Sequence, residues 1–450
     1  MPDRITTTTT RRRFLRRTGA LIAAPWIIPA SALGADGTTA PSNRITLGSI
    51  GTGLMGTGHL RRFLDDSDVQ VLGVCDVDRW RRDRAQNLVD TQYAQQRESG
   101  AYRGCQAYVD LRDLLARTDL DAVLIAIGER WHPLATILAA EAGKDVYVEK
   151  PVSLTIAEAR AMVQAVRRYG RVCQVGLQQR SMPEFQLTAR LIQQGFLGKI
   201  HTIYTVHNTA SAYVDLPAEP TPETLDWERW IGPCPWRPFH HRLHYLGQPI
   251  NVVPWSFHRD YGSGGLGSGG VHAFDVVQWA LGMDASGPTE IIPPESGLYP
   301  HLTYKYPGDI LLHVVDHRLD PKKHVIPPGW DPITSVQPFG GVYVGERGWL
   351  HVGRRGYLTC HPAGLLENHP GPNAHNLAWH HRNWLDAIRT RRRPAADIAS
   401  GCQSTILSLL GCIARWTGRP LKWDPAAEQF LGDDEANRLR SRALREPWRV

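Results

Sequence analysis

The stretch RITLGSIGTGLMGTGHLRRFLDDSDVQVLGVCD, from Arg44 to Asp76, decides the fold. It reads as an apolar strand, a glycine-rich turn, a helix and a second apolar strand that ends on an acidic residue. Gly51 permits a tight turn, Gly53 lets a pyrophosphate approach the backbone, and Gly56 lets helix and strand pack closely. The phosphates then sit where unsatisfied helix N–H groups point. Asp76 follows Gly56 by 20 residues, about where a carboxylate meets the adenosine ribose hydroxyls. The expected dinucleotide contacts are therefore Gly51, Gly53, Gly56 and Asp76, with Leu54 and Met55 of the same turn. A negative Asp76 repels a ribose 2'-phosphate, so NAD is expected ahead of NADP. Arg79, Arg81 and Arg82 just beyond soften that preference and leave NADP open.

Upstream, Thr6 to Thr10 precede RRRFLRR (Arg11 to Arg17) and an apolar run from Ala20 to Leu33. A charged segment followed by an apolar one reads as an export signal. The arginines Arg11 to Arg13 before Phe14 and Leu15 are similar to a twin-arginine signal, which carries folded proteins out of the cytoplasm. Residues 1–35 are expected to be removed by cleavage between Ala32 and Ala35. Pro25 and Pro29 break a run already short for a permanent membrane span. The expected location is periplasmic or extracytoplasmic. A dinucleotide is made in the cytoplasm, so an exported enzyme must load it before leaving and hold it tightly.

A chain of 450 residues, 42% hydrophobic, has room for two or three domains with sizeable cores. Its formal charge of +7 misleads, because residues 1–35 hold six Arg and one Asp and the remainder carries only +2. No basic patch interleaved with aromatics accompanies that balance, so nucleic acid is not an expected partner. The seven cysteines show no CxxC spacing, and no disulfide framework is expected.

Strands and helices alternate from residue 44 to about 178, as in one doubly wound α/β domain with a parallel sheet. Asp121 to Ile127, DAVLIAI, lacks polar alternation and reads as a central buried strand. The loop Gly128 to Pro133 leaves its carboxyl end, where ligands bind in open α/β sheets. Ile127, Trp131 and His132 are thus expected at the nicotinamide, although Trp131 and His132 equally suit packing of the loop onto its helix. A second strand, Asp145 to Val148, leads into Glu149, Lys150 and Pro151. Val172 to Gly176 leads into Gln178, Gln179 and Arg180.

Beyond 178 the texture changes. Thr209 to Tyr261 is rich in Pro, Trp and His and too long for an ordinary connection, which suggests a lid. Gly262 to Gly270 is dense in glycine and opens a helix from Val271 to Leu281. Further strands and terminal helices complete a second α/β domain, 179–425, with a large open, mixed and mostly antiparallel sheet, followed by a tail, 426–450. An open sheet needs covering, which points to a homodimer or homotetramer.

These motifs resemble the glucose-fructose oxidoreductase/inositol dehydrogenase (Gfo/Idh/MocA) family, particularly its exported bacterial members. The likeness rests on GTGLMG at Gly51, DAVLIAI at Asp121, EKP at Glu149 and VGLQQR at Val175. It continues with DWERWIGPCPWRPF at Asp226, GSGGLGSGGVHAFDVVQWALG at Gly262, GERGWL at Gly345, HHRNWLDAI at His380 and GRPLKWDP at Gly418. The resemblance implies a Rossmann domain, a mixed-sheet domain and hydride transfer at a sugar or polyol carbon. It implies catalytic roles for Lys150 and His272. Family members commonly carry an Asp four residues before that His; here Ser268 stands in its place, which puts the full Lys-Asp-His arrangement in question.

Oxidising a secondary alcohol requires hydride to leave carbon while a proton leaves oxygen. A desolvated lysine beside a cationic nicotinamide has a lowered pKa suited to that proton, and Lys150 is pinned between a strand and Pro151. His272 titrates near neutrality when unperturbed and either shuttles a proton or orients the hydroxyl. Glu149 and Gln178 are expected at the cofactor, and Arg180, Trp255, Ser268 and Asp275 at the substrate. Asp275 equally suits a helix anchor. His240, His241 and His244 raise a metal hypothesis, but no acidic ligand has convincing spacing and none is assigned. Trp227, Trp230 and Trp236 suit either sugar stacking or lid packing. Three functions compete: a sugar or polyol dehydrogenase, a cofactor-assisted glycoside hydrolase or lyase working by transient oxidation, and a non-catalytic sugar-binding protein.

Overall fold

The computed structural model describes residues 43–244, 254–367 and 378–449. The expected export signal lies outside the described residues, as do 245–253 of the expected lid and the first turn, 374–377, of an expected terminal helix.

Six strands form the first sheet: β1 (Ile45–Ile50), β2 (Val69–Cys75), β3 (Gln106–Tyr108), β4 (Ala122–Ile125), β5 (Asp145–Val148) and β6 (Cys173–Val175). Their order is β3-β2-β1-β4-β5-β6, and every pair is parallel. β4 and β5 are buried at all positions, which explains why they read as unbroken apolar runs. Strand order reverses between β1 and β4, opening a crevice at their carboxyl ends. Local chemistry fixes the flanking helices. Asp78 caps the Arg79–Gln92 helix by accepting from Trp80 N and Arg81 N. Thr155 caps Ile156–Arg168 by accepting from Glu158 N, and its hydroxyl donates to the Glu158 carboxylate at 2.9 Å.

The second sheet contains β7 (Ile200–Thr205), β8 (Glu290–Ile292), β9 (Leu302–Tyr306), β10 (Ile310–Val314), β11 (Gly341–Gly345), β12 (Gly348–Val352), β13 (Leu358–His361), β14 (Leu421–Asp424) and β15 (Gln429–Phe430). Its order is β13-β12-β11-β7-β10-β9-β8-β14-β15. Only β7 and β10 pair in parallel; the other pairs are antiparallel. One face packs on the helices Pro183–Gln193, Val271–Ala280 and Ile398–Thr417. The last is buried on nearly every side, its small polar residues Ser400, Ser404, Thr405 and Ser408 included.

The sheet is mixed, mostly antiparallel and open-ended, as expected, and Leu319, Trp330 and Val336 cover Tyr204, Val342 and Trp349 on its other face. The described part of the expected tail, 426–449, docks on the rest of the chain: Trp448 meets Trp131 edge-on at 4.9 Å and Arg442 pairs with Glu158 at 2.7 Å. The Ala378–Thr390 helix packs on the first domain, where Trp384, Leu385 and Ile388 join the core around β1 and β2. Chain order hides the last two, because the docking segments come from distant sequence. The seven cysteines are free thiols.

Trp384 is fully buried against Phe63 and Tyr147, each with ring centroids 5.7 Å away. Trp384→Ala is expected to destabilise the protein by about 3–5 kcal/mol in urea denaturation. A loss under about 1 kcal/mol, the scale of an exposed site, refutes the assignment of this helix to the first core.

Candidate functional site

The glycine turn between β1 and the Leu54–Leu64 helix has the geometry its sequence demands. Gly51 has φ +87°, and a Cβ there would lie 2.4 Å from the Ala126 carbonyl oxygen. A Cβ at Gly56 would lie 1.9 Å from the Gly51 oxygen, so helix and strand touch backbone to backbone. Gly53 differs, because a Cβ there would meet only the Arg81 guanidinium at 3.3 Å. Its backbone therefore borders free space in a cleft of about 630 Å³, within the size range of cofactor sites. Leu54 and Met55 are exposed and line that cleft.

Asp76 also lines it. Its Oδ2 accepts from Thr52 N (2.8 Å) and Thr52 Oγ1 (3.1 Å), and its Oδ1 accepts from Asp78 N (3.0 Å). Three of about four lone-pair positions are thus engaged, which orients the carboxylate and leaves capacity for a hydroxyl. Arg81 and Arg84 line the same end, and Arg84 donates to Thr57 Oγ1 at 3.1 Å. The far end is walled by Ile127, Trp131, Trp230 and Trp255. These residues fit a dinucleotide: a cradle cleared of side chains, a carboxylate for a ribose, cations for phosphates and apolar walls for a ring.

His132 does not join that wall. Gly128 N donates to its Nε2 (3.0 Å), so Nδ1 carries the proton and donates to the Pro151 carbonyl (2.7 Å). Burial pushes its pKa down to about 4. The imidazole is a neutral pin that ties the loop after β4 to the segment after β5. Trp227 and Trp230 stack on each other at 4.4 Å, so those indoles hold the lid together. His244 donates to Asp78 at 2.9 Å and closes that lid onto the first sheet.

Lys150 follows β5. Its ammonium donates to the Ser268 carbonyl at 2.8 Å, and burial lowers its pKa. Ser268 lies in a single π turn, Leu266–Gly270, that opens the Val271–Ala280 helix. His272 sits on the first turn of that helix, and its Nε2 accepts from Arg354 at 3.4 Å. Its Nδ1 then carries the proton and is buried without a partner. Burial, then the Lys150 charge, hold His272 neutral. The structure thus brings Lys150, Ser268 and His272 together, with the Ser268 backbone doing the work rather than its side chain.

Arg180 and Asp275, expected at the substrate, are bonded to each other. Arg180 pairs with Asp275 at 2.8 Å and with Asp284 at 2.6 Å, and Asp275 also accepts from Ser404. That network anchors the helix. Glu149 accepts from His59 (2.8 Å) and from Lys150 N (3.1 Å), lying behind the lysine rather than in the cleft. Gln178 is buried with an unpartnered Oε1, also outside the cleft lining.

Sequence reading missed three groups. Glu129 is fully buried, accepts from Ser263 N (2.9 Å) and Oγ (2.5 Å), and is pushed up to about 7 by burial. Arg130 lies over Trp230 at 3.7 Å, and its buried Nη1 has no partner. Arg354, far along the chain on the exit from β12, carried no signal beyond its charge. Glu219 also joins His240 and His241, with ligand atoms within 4.8 Å of one another. There His241 Nδ1 donates to Glu219 at 2.8 Å.

Comparison with known proteins follows the same division. Residues 45–177 match the NAD-binding Rossmann-fold domain of the Gfo/Idh/MocA oxidoreductase family, and 189–296 with 364–450 match its C-terminal alpha/beta domain. A glycosyl hydrolase family 109 protein of Shewanella pealeana is 29% identical over 174 residues, 38% of this chain and 37% of that one. An inositol 2-dehydrogenase of Salmonella typhimurium is 29% identical over 216 residues, 48% and 55% respectively. The chain thus spans about half or less of the length of these relatives. The crystal structure of an aldose-aldose oxidoreductase from Caulobacter crescentus, complexed with glycerol, superposes with TM-score 0.54 at 16% identity, over 84% of this chain and 99% of that one.

Gly53→Ala separates the cradle from the fold. With φ −67° and only a guanidinium nearby, the methyl is expected to leave the melting temperature within about 2 °C. NADH affinity by fluorescence titration is expected to fall at least about tenfold. Unchanged affinity rules out a phosphate at this turn.

Proposed function

The chain belongs to the Gfo/Idh/MocA oxidoreductase family, and we propose that it transfers hydride between NAD and a hydroxyl-bearing carbon of a sugar, polyol or glycoside. The observation that carries this reading is the Lys150 ammonium held on the Ser268 carbonyl beside His272. When bound, the nicotinamide accepts or returns the hydride. The rest falls to the chain. The Gly51–Gly56 turn holds the pyrophosphate, Asp76 the adenosine ribose, and Ile127 and Trp255 the cleft walls. Asp76 supports NAD over NADP by charge. Lys150 in its neutral form takes the hydroxyl proton, and the Nδ1–H of His272 donates to a substrate oxygen and orients it.

A second reading is redox-neutral glycoside cleavage, in which oxidation is transient and is reversed after elimination. Glu129, buried and able to hold a proton near neutrality, favours it, because elimination needs an acid or base besides Lys150. The Shewanella relative's name points the same way. Aglycone release from a nitrophenyl glycoside by the holoprotein, without added cofactor or net reduction, selects this reading.

We propose twin-arginine export of the folded, cofactor-loaded protein from Arg11, Arg12 and Arg13. Replacing all three with Lys is expected to retain the protein in the cytoplasm on cell fractionation. A homodimer or homotetramer is supported by the segment covering the second sheet, which leaves Val325 and Ile333 exposed.

The lysine gives a signed pH test. Burial lowers the Lys150 pKa below the ordinary lysine value, so the neutral amine becomes populated as pH rises through that lowered value. Alcohol oxidation is expected to rise with pH along that limb. Lys150→Met is expected to lower kcat about 10²–10⁴-fold and to remove the limb. A variant that keeps both rate and pH profile overturns the assignment.

A further inference from the structure

The acids around Lys150 are all engaged. Glu149 is held by His59 and Lys150 N, Glu129 by Ser263, and Asp275 by Arg180 and Ser404. The cations are not balanced by them. Arg354 makes no ion pair with any described residue. Its contacts are His272 Nε2 at 3.4 Å, Gln179 Oε1 at 3.5 Å and the face of Phe339, 4.2 Å from the ring centroid. Its Nε is buried with no partner. With its face over Phe339, the guanidinium has an unpartnered Nε on one edge, and the Nη2 of that edge makes only two long contacts, at 3.4 and 3.5 Å; such an Nε–Nη2 edge matches the two oxygens of a carboxylate.

The surroundings hold this edge in place. His207 and Phe339 both have left-handed backbones, φ +80° and +64°, and their rings stack at 5.1 Å. Non-glycine residues in that conformation persist where surrounding structure fixes them, and they cluster at ligand sites. Gly269 is required beside them, since a Cβ there would lie 2.8 Å from the His207 ring. His207 Nε2 and His272 Nδ1 are buried without partners among the described residues. Burial holds both imidazoles neutral, His207 at about 4, so they suit hydroxyls and leave Lys150 and Arg354 as the cations. Arg354 is half-buried with its Nε enclosed, desolvating a guanidinium without a counter-ion is costly, and a substrate acid supplies one.

We propose that the substrate is a carboxylated sugar, a uronic acid or its glycoside, and that Arg354 grips its carboxylate while His207 and His272 hold hydroxyls. This rests on reading Lys150 and His272 as the reaction centre.

The test pairs methyl glucuronide and galacturonide with the matching methyl glucoside and galactoside. The holoprotein is titrated calorimetrically, and the absorbance of bound nicotinamide is followed in parallel. A uronide is expected to bind at least about 30-fold tighter than its neutral partner, the scale of one charged hydrogen-bonded pair. Arg354→Met is expected to bring that ratio within threefold, and Arg354→Lys to an intermediate value. The wild-type ratio needs no variant, so misfolding of Arg354→Met does not obscure the result. Equal binding within each pair, no binding by either set, or a ratio unchanged in the variant overturns the proposal. Turnover of neutral sugars without acid preference removes the proposal but keeps the oxidoreductase. Tight uronide binding without any reduction of bound cofactor keeps the Arg354 site and removes the oxidoreductase.

Discussion

The hydrogen bond from the Lys150 ammonium to the Ser268 carbonyl joins the carboxyl edge of one sheet to the helix that roofs the other. It depends on a π turn, a wide turn frequent at functional sites, and that turn depends on its glycines. A Cβ at Gly267 would lie 1.6 Å from Ser263 Oγ, and one at Gly269 would meet His207. The glycine-dense run is therefore steric clearance for a close approach on two sides. The partner's chemistry matters as much as its position. A carboxylate there would hold the lysine as a cation, whereas a carbonyl binds the ammonium without a full opposing charge. Burial is then free to lower the lysine toward the form that accepts a proton.

What stands behind the lysine is equally constrained. Glu149 bonds His59, and the other nitrogen of His59 meets His381 at 2.8 Å. Gly176 makes room for that carboxylate, since a Cβ there would lie 2.4 Å from Oε1. A buried charge is tolerated when each lone pair has a donor. His381 comes from the Ala378–Thr390 helix, so a segment near the end of the chain steadies the strand that presents Lys150. The packing of Trp384 into the first core thus also helps set the geometry of the site.

The first domain was legible because its physics is local. Strands buried on both faces read as apolar runs, and the turn between β1 and its helix needs glycine at fixed spacing. Lys150 and His272 were legible through motif and resemblance. β8, β13, β14 and β15 were not, because strands of two to four residues are too short to show alternation. The docking of the Ala378–Thr390 helix and of residues 426–449 joins segments far apart in sequence, and no local pattern records such a meeting. His132 stood at the right loop yet turned inward, which only its two hydrogen bonds reveal.

Arg180 and Arg354 show most clearly where a residue's surroundings outrank its position. Arg180 leaves the carboxyl end of a parallel strand, the place where ligand contacts are expected. Two aspartates reach it there, one from the roofing helix and one just past its end, and its charge is spent on the fold. Arg354 leaves an antiparallel strand of the second sheet, a place with no such expectation. Phe339 takes its face, and no acid among the described residues takes its edge. The same functional group is structural in one case and receptive in the other, and the difference is the count of carboxylates that the folded chain delivers to each. That count depends on tertiary contacts between residues about 100 positions apart, such as Arg180 and Asp284, so it belongs to the fold rather than to any motif.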